Sequence, residues 1–325
     1  MPPAYLPSAA SEGASSLDLD VSVAMWAGLA VVVIAMLAID LLLFARHHAP
    51  SLRESAIWSL GWIAVAVAFG AGWWWWQGGE AGSQYFAGYL LERSLSLDNV
   101  FVFAVIFGYF AVPAAVQPTV LSWAIALALV LRLAFILIGA ALLASFAVTF
   151  YLFGALLLYT AYKLARHDAR EIEPERNPAL RALRRAVPMT ESYQGERLSV
   201  RRRGRRMATP LLAVFVMVAT TDVVFAVDSI PAIFAVTRES FIVFAANAFA
   251  MLGLRALYFM LAGMADRFAY LSQGLAVILA FIGVKMLLID LWHVPIWLSL
   301  AVIAGVLGLS ILLSLRATAG SRVGA

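Results

Sequence analysis

Glu92-Arg-Ser-Leu-Ser96-Leu-Asp98-Asn99 and Asp222-Val-Val-Phe-Ala-Val-Asp228-Ser229 lie inside two hydrophobic segments far apart in the chain. In each, an acid is followed six residues later by Asp and then by a small amide or hydroxyl residue, so one device is used twice. A charged side chain at the centre of a lipid-spanning helix costs roughly 2.5–3.5 kcal/mol on the insertion scale. Four such carboxylates in duplicated order require a ligand or a counter-charge.

Composition places these segments in a membrane. The chain is 63% hydrophobic and 13% charged over 325 residues, with apolar runs of about twenty residues separated by short polar turns, the pattern of an all-α polytopic membrane protein. A soluble domain is excluded. Cysteine is absent, which removes disulfides, thiolate metal sites and a cysteine nucleophile. The pI near 9.5 arises from basic residues gathered in loops, where membrane topology accounts for them. Membrane lipid is therefore an expected partner and nucleic acid is not.

Nine spans are expected, at roughly 23 to 44, 57 to 76, 84 to 110, 119 to 144, 147 to 165, 210 to 236, 240 to 264, 269 to 291 and 295 to 315. Residues 1–20 carry Glu12, Asp18 and Asp20 and no basic residue, unlike a cleavable secretion signal, and read as a disordered extracytoplasmic tail. Arg46 and Arg53 follow the first span, an arginine-rich stretch including Arg201 to Arg206 follows the fifth, and Arg316 and Arg322 follow the last. The positive-inside rule puts all of these in the cytoplasm and the N-terminus outside. Trp73 to Trp76 read as an interfacial aromatic anchor.

The chain then divides into two leading helices (21–80), a first three-helix repeat (84–165), an arginine-rich cytoplasmic loop (166–208), a second three-helix repeat (209–291) and a final helix with a cytoplasmic tail (294–325). The first repeat begins outside and the second inside, so the two lie inverted across the bilayer. Later landmarks correspond as well: Arg132 with Arg255, and Lys163 with Lys285. Inverted repeats that each carry a polar motif near the midplane are the architecture of many secondary transporters.

In an unbroken α-helix Glu92, Ser96 and Asn99 share a face, whereas Asp98 lies about 120° away from Glu92. Both acids meet one ligand only if the helix bends or partner helices wrap the site. Pro231 lacks an amide hydrogen and crowds the Val227 carbonyl beside Asp228, which predicts a break there that frees carbonyl oxygens. Carboxylate, amide, hydroxyl and carbonyl oxygens suit a hard divalent cation such as Mn²⁺, Ca²⁺ or Mg²⁺. The competing use of Glu92, Asp98, Asp222 and Asp228 is internal pairing with Arg93, Arg132 or Arg255. Arg132 and Arg255 are candidate counter-charges or gates, and Lys163 and Lys285 lie near span ends, where their charges can snorkel. Asp40, Ser96 and Asn247 are candidate pathway residues. His47, His48, His167 and His293 form no pair inside a span, so a histidine metal site is not expected.

Gly88-Tyr-Leu-Leu-Glu-Arg-Ser-Leu-Ser-Leu-Asp-Asn99, Thr221-Asp-Val-Val-Phe-Ala-Val-Asp-Ser-Ile-Pro-Ala-Ile-Phe-Ala-Val-Thr237 and Asn247-Ala-Phe-Ala-Met-Leu-Gly-Leu-Arg-Ala-Leu-Tyr258 resemble the TerC family of integral membrane proteins, within the broader LysE-like transporter superfamily. Further similarity runs from Asp40 to the Gly283-Val-Lys285 segment. The family is named for tellurite resistance, while characterised members look like Mn²⁺ exporters and some are implicated in supplying metal to exported proteins. The resemblance implies that Glu92, Asp98, Asn99, Asp222, Asp228 and Ser229 are the family's acidic membrane motifs. Arg93 stands where Lys is common, and Ala246 where Ser often precedes the asparagine; neither removes a carboxylate.

These readings converge on a secondary transporter of the bacterial inner membrane that exports Mn²⁺, with Ca²⁺ as a further substrate and protons as a candidate coupling ion. No cofactor is required, and no nucleophile–base pair, cofactor fingerprint or ATP-binding loop points to an enzyme. Two alternatives stand beside it. One is action on tellurite itself, which would need Arg132 and Arg255 as the anion site; the other is metal delivery in contact with secretion machinery.

Overall fold

The computed structural model describes residues 21–43, 50–166, 177–202, 205–261, 270–291 and 294–323. The expected N-terminal tail, the loop residues 167–176 and 203–204, and His47, His48, His167 and His293 lie outside the described residues. The chain is an all-helical polytopic membrane protein built from α1 (Val23–Leu43), α2 (Leu52–Gln77), α3 (Gly79–Tyr109), α4 (Gln117–Ser145), α5 (Val148–Arg166), α6 (Pro178–Ala186), a hairpin of β1 (Ser199–Arg202) and β2 (Arg205–Ala208), α7 (Pro210–Phe234), α8 (Ser240–Leu252), α9 (Leu254–Leu261), α10 (Leu271–Leu287) and α11 (Ile296–Val323). Six of these helices are long and apolar enough to cross a membrane, or seven if α8 and α9 form one bent span. α3 has the length, at 31 residues, but carries Glu92, Arg93 and Asp98 in its middle. α10 is apolar but has only 17 residues. Side chains such as Ile34, Leu137, Leu152 and Trp75 stand exposed around the bundle, an apolar girdle that lipid rather than water would cover.

Helix directions follow from side-chain contacts. Thr237 Oγ1 donates to Gln84 Oε1 at 2.5 Å, Gly88 abuts Ile233, and Glu92 and Ser229 share Arg132 Nη1. As α3 advances α7 recedes, so the two helices are antiparallel. α3 runs parallel to α8, for Gly88 also meets Ala246 and Arg93 Nη1 donates to the Ala250 carbonyl at 2.9 Å. α5 and α10 are antiparallel, with Gly154 against Leu287 and Gly283 against Leu158. Here the backbones nearly touch: a Cβ on Gly154 would stand 3.1 Å from the Gly283 carbonyl oxygen, and one on Gly283 would stand 3.0 Å from that of Gly154. Small residues permit such close approach between membrane helices, where packing rather than water exclusion drives association.

Two expectations are corrected. α7 runs unbroken through Pro231 to Phe234: the proline forfeits the one bond its own nitrogen would have made to the Val227 carbonyl, and the helix continues past it, with the Ala235 amide donating to the Pro231 carbonyl at 3.1 Å. No break therefore opens beside Asp228. The break lies instead in the segment expected as one span over 240 to 264, where α8 and α9 meet at 42° around Gly253. Arg93 accounts for it in part: its guanidinium satisfies the Ala250 carbonyl and lies 3.1 Å from where a Cβ of residue 253 would stand. Carbonyls at a helix end need such a donor.

The arginine-rich segment is more than a loop. Asn177 Oδ1 accepts from the Ala179 and Leu180 amides to cap α6, and Leu180 is fully buried. Tyr193 donates to the Phe110 carbonyl at the end of α3, 2.8 Å away, and burial pushes its phenol pKa up. Thr119 Oγ1, at the start of α4, donates to Glu196 at 2.7 Å. The segment is thus fastened to the α3–α4 connection.

Because the α5–α10 contact is reciprocal at backbone level, Gly154→Val should destabilise the folded protein by about 1–3 kcal/mol, the usual cost of overpacking. Thermal unfolding in detergent checks this, with Gly108→Val, whose Cβ meets nothing within 4 Å, expected to stay near the intact protein.

Candidate functional site

The duplicated spacing explains how the carboxylates are distributed. Six residues along an unbroken helix turn the second acid about 120° from the first and move it about 9 Å along the axis. Both α3 and α7 are unbroken across their motifs. The first acid of each copy therefore faces one way, into the packed interior, and the second faces another, into a cavity.

The interior pair is Glu92 and Asp222, with relative exposures of 0% and 3%. Between them lies Arg132 from α4, itself fully buried. Arg132 Nη1 donates to Glu92 Oε1 and to Ser229 Oγ at 3.1 Å. Arg132 Nη2 stands 3.6 Å from Asp222 Oδ1, a charge contact beyond hydrogen-bond reach. Glu92 Oε2, Ser96 Oγ, both oxygens of Asp222, and Arg132 Nε and Nη2 have no hydrogen-bond partner.

The second acids, Asp98 and Asp228, line a cavity of about 430 Å³ together with Asn99, Ser229, Thr160, Lys163, Asn177, Thr220 and Thr221, with Arg132 in its wall. Thr160 Oγ1 of α5 donates to Asp228 Oδ1 at 2.8 Å, and Asn177 Nδ2 donates to Thr220 Oγ1 at 2.9 Å. The cavity thus joins both acidic signatures to α5 and to the residue that caps α6. Thr160, Asn177 and Thr220 were not singled out in the sequence. Thr220 and Thr221 directly precede Asp222, which was a usable signal, whereas Thr160 and Asn177 come from segments with no acidic motif. Among the described residues, no group of three or more His, Asp or Glu side chains is arranged to hold a metal ion. An ion in the cavity would have to combine Asp98 or Asp228 with amide, hydroxyl and water oxygens, a donor set that hard cations accept.

Asp40 and Arg255 belong elsewhere. Arg255 Nη2 stands 2.9 Å from Asp40 Oδ2 and also donates to the Asp40 carbonyl, while Nη1 donates to Ser122 Oγ at 2.5 Å. This cluster ties α1, α4 and α9 together and does not line the cavity. Asn247 is fully buried in α8, with neither side-chain polar atom hydrogen-bonded, and it too lies off the cavity. Lys163 reaches the cavity, while Lys285 Nζ donates to Ser299 Oγ at 3.0 Å.

A model of the integral membrane protein TerC family matches residues 77–322. The chain belongs to the TerC family. A membrane protein of Myxococcus xanthus named as uncharacterized, STKORF319, is 48% identical over 292 residues, covering 90% of this chain and 92% of that protein. An Escherichia coli K12 protein whose name proposes a membrane-bound redox modulator, Alx, is 46% identical over 300 residues, covering 89% of this chain and 94% of its own. An uncharacterized membrane protein of Mycobacterium bovis, Mb2742, is 44% identical over 269 residues, covering 81% and 68%. No solved structure matches. The TerC match takes in both acidic signatures and the cavity; Asp40 precedes it.

Breaking a buried ion pair on one side costs about 3–5 kcal/mol, whereas replacing both partners by apolar groups is often neutral. Arg255→Met alone should therefore strongly lower the melting temperature, and Asp40→Leu/Arg255→Met should recover most of the loss. A double-mutant thermal-unfolding cycle reads both; a double variant as unstable as the single would assign the stability to the Ser122 and backbone contacts instead.

Proposed function

We propose that this protein is a secondary transporter that exports divalent metal cations, Mn²⁺ foremost and Ca²⁺ as a further substrate. The observation that carries this reading is that Asp98 and Asp228, the equivalent acids of the two signatures, line one cavity with Asn99, Ser229 and Thr160, between apolar walls that include Leu95, Phe225 and Leu279. Two carboxylates lining one chamber at membrane depth attract cations and supply the oxygen donors that hard cations prefer. No catalytic step and no resident cofactor are needed.

The topology proposed is nine spans with an inverted three-plus-three repeat, and the directions of equivalent helices support the inversion. The first helices of the two repeats, α3 and α7, are antiparallel, as are the last, α5 and α10, which is what an axis in the membrane plane requires. Lys163 and Asn177 at the cavity adjoin the arginine-rich segment, so the positive-inside rule makes the cavity cytoplasm-facing in a bacterial inner membrane, with the N-terminus outside and the C-terminus inside. Export then loads from the cytoplasm, and rocking one repeat against the other exposes the ion outside. Protons held by the same carboxylates would supply coupling.

The tellurite reading is weaker, because Arg132 and Arg255 are committed to carboxylate partners. Thiol–disulfide chemistry, which the Alx name could suggest, has no cysteine here to run on. Contact with secretion machinery would appear as a stable complex in mild detergent.

In cells lacking their own exporters and challenged with Mn²⁺, the intact protein should lower total cellular manganese, and Asp98→Asn/Asp228→Asn at equal membrane abundance should not. Equal manganese with intact protein and empty vector would remove Mn²⁺ as the substrate. Reporter fusions at the N-terminus and within 166–208 should score on opposite sides of the membrane; the same side for both would overturn the topology.

A further inference from the structure

The interior acids and the cavity acids differ in one respect that bears on how a cation passes. Glu92 and Asp222 are already served by a cation, the guanidinium of Arg132, while two carboxylates, if both are ionised, exceed what one guanidinium can neutralise in a region almost without exposed surface. The guanidinium also fits the site incompletely. It bonds Glu92 and Ser229 but stands 3.6 Å from Asp222, and Glu92 Oε2, Ser96 Oγ and Asp222 Oδ2 have no hydrogen-bond partner. Ser96 follows Glu92 by one helical turn and so shares its face. Glu92 and Asp222 thus flank the Arg132 guanidinium, Ser96 is a third buried oxygen one turn along the Glu92 face, and Arg132 also lines the cavity.

We propose that Glu92, Ser96 and Asp222 form an occluded divalent-cation site in which Arg132 is a tethered competitor, holding the site when no metal is present and yielding it when one enters. This rests on the cation-transport reading above. A divalent ion neutralises both carboxylates, which one guanidinium does not, and can use the oxygens that Arg132 leaves unbonded. The displaced guanidinium has a place to go: Ser229, which it already touches, is adjacent to Asp228, and Asp98 and Asp228 line the adjoining cavity. A cation moving inward and Arg132 moving outward would exchange partners between the two pairs of acids, so neither pair is left bare. The tether also selects for charge, since a monovalent ion gains nothing over the guanidinium it must displace.

The test is Mn²⁺ binding to the purified full chain in lipid nanodiscs, read by the electron-spin resonance signal of free Mn²⁺. Arg132→Gln should bind Mn²⁺ at least about tenfold more tightly than the intact protein, equivalent to about 1.4 kcal/mol, and Arg132→Lys should stay close to it. Equal or weaker binding by a folded Arg132→Gln, with the intact protein binding normally, overturns the competitor role and leaves the transport reading standing. No Mn²⁺ binding by any form defeats the transport reading itself. If Arg132→Gln does not fold, Arg132→Ala prepared in guanidinium ion replaces it. Guanidinium and Mn²⁺ should then each raise its melting temperature and compete in doing so, as ligands of one folded-state site must. Stabilisation by guanidinium alone, in a protein whose intact form binds Mn²⁺, also overturns the proposal.

Discussion

Arg132 carries its guanidinium to a point where α3, α4 and α7 meet and where none of its surface is exposed. A charge in that position cannot be solvated, so the carboxylates of Glu92 and Asp222 must be brought to it, and they fix the rotation of α3 and α7 about their own axes. The antiparallel ladder between those two helices, from Gln84 and Thr237 through Gly88 and Ile233 to Glu92 and Ser229, continues into that contact. With the rotation set, Asp98 and Asp228 are carried to the cavity whether or not anything binds there.

A second buried pair, also anchored on α4, performs the same task away from the cavity. Arg255 holds Asp40 and Ser122, joining α1 and α4 to α9, while Arg93 caps the end of α8 at the bend. Three buried or partly buried arginines thus set the places of six helices, in a solvent where apolar surface alone gives helices little reason to associate. The glycines answer a different need. Gly154 and Gly283 let α5 and α10 approach until backbone nearly meets backbone, which keeps Thr160 within reach of Asp228 on α7.

Much of this was legible in the residues. Twenty-residue apolar runs announced a bundle of membrane-crossing helices, and the 120° separation of Glu92 from Asp98 already implied that an unbroken helix could not aim both at one point. The partners of the first acids were less legible, because Arg132 and Arg255 offer the same chemistry and only tertiary packing gives Arg132 to the motifs and Arg255 to Asp40. Pro231 misled because a proline inside a helix forfeits a single amide bond to the preceding turn, a loss that packing can absorb without a break, as it does here. Gly253 went unremarked because a glycine in an apolar run is ordinary until a donor such as Arg93 arrives from another helix to stabilise a bend. Thr160 and Asn177 carry no motif at all; their roles exist only because α5 and α6 are folded against α7.

The six-residue interval is what unites these observations. An interval of seven would have stacked both acids of each copy on nearly one face, concentrating four negative charges in one place and demanding more counter-charge than the membrane interior supplies. An interval of six divides them into an inner pair that shares one guanidinium and an outer pair that lines a cavity. Used once, the interval would give one acid of each kind. Used twice on antiparallel helices, it gives two matched pairs, and Arg132, which contacts the inner pair and lines the cavity of the outer one, is the side chain common to both.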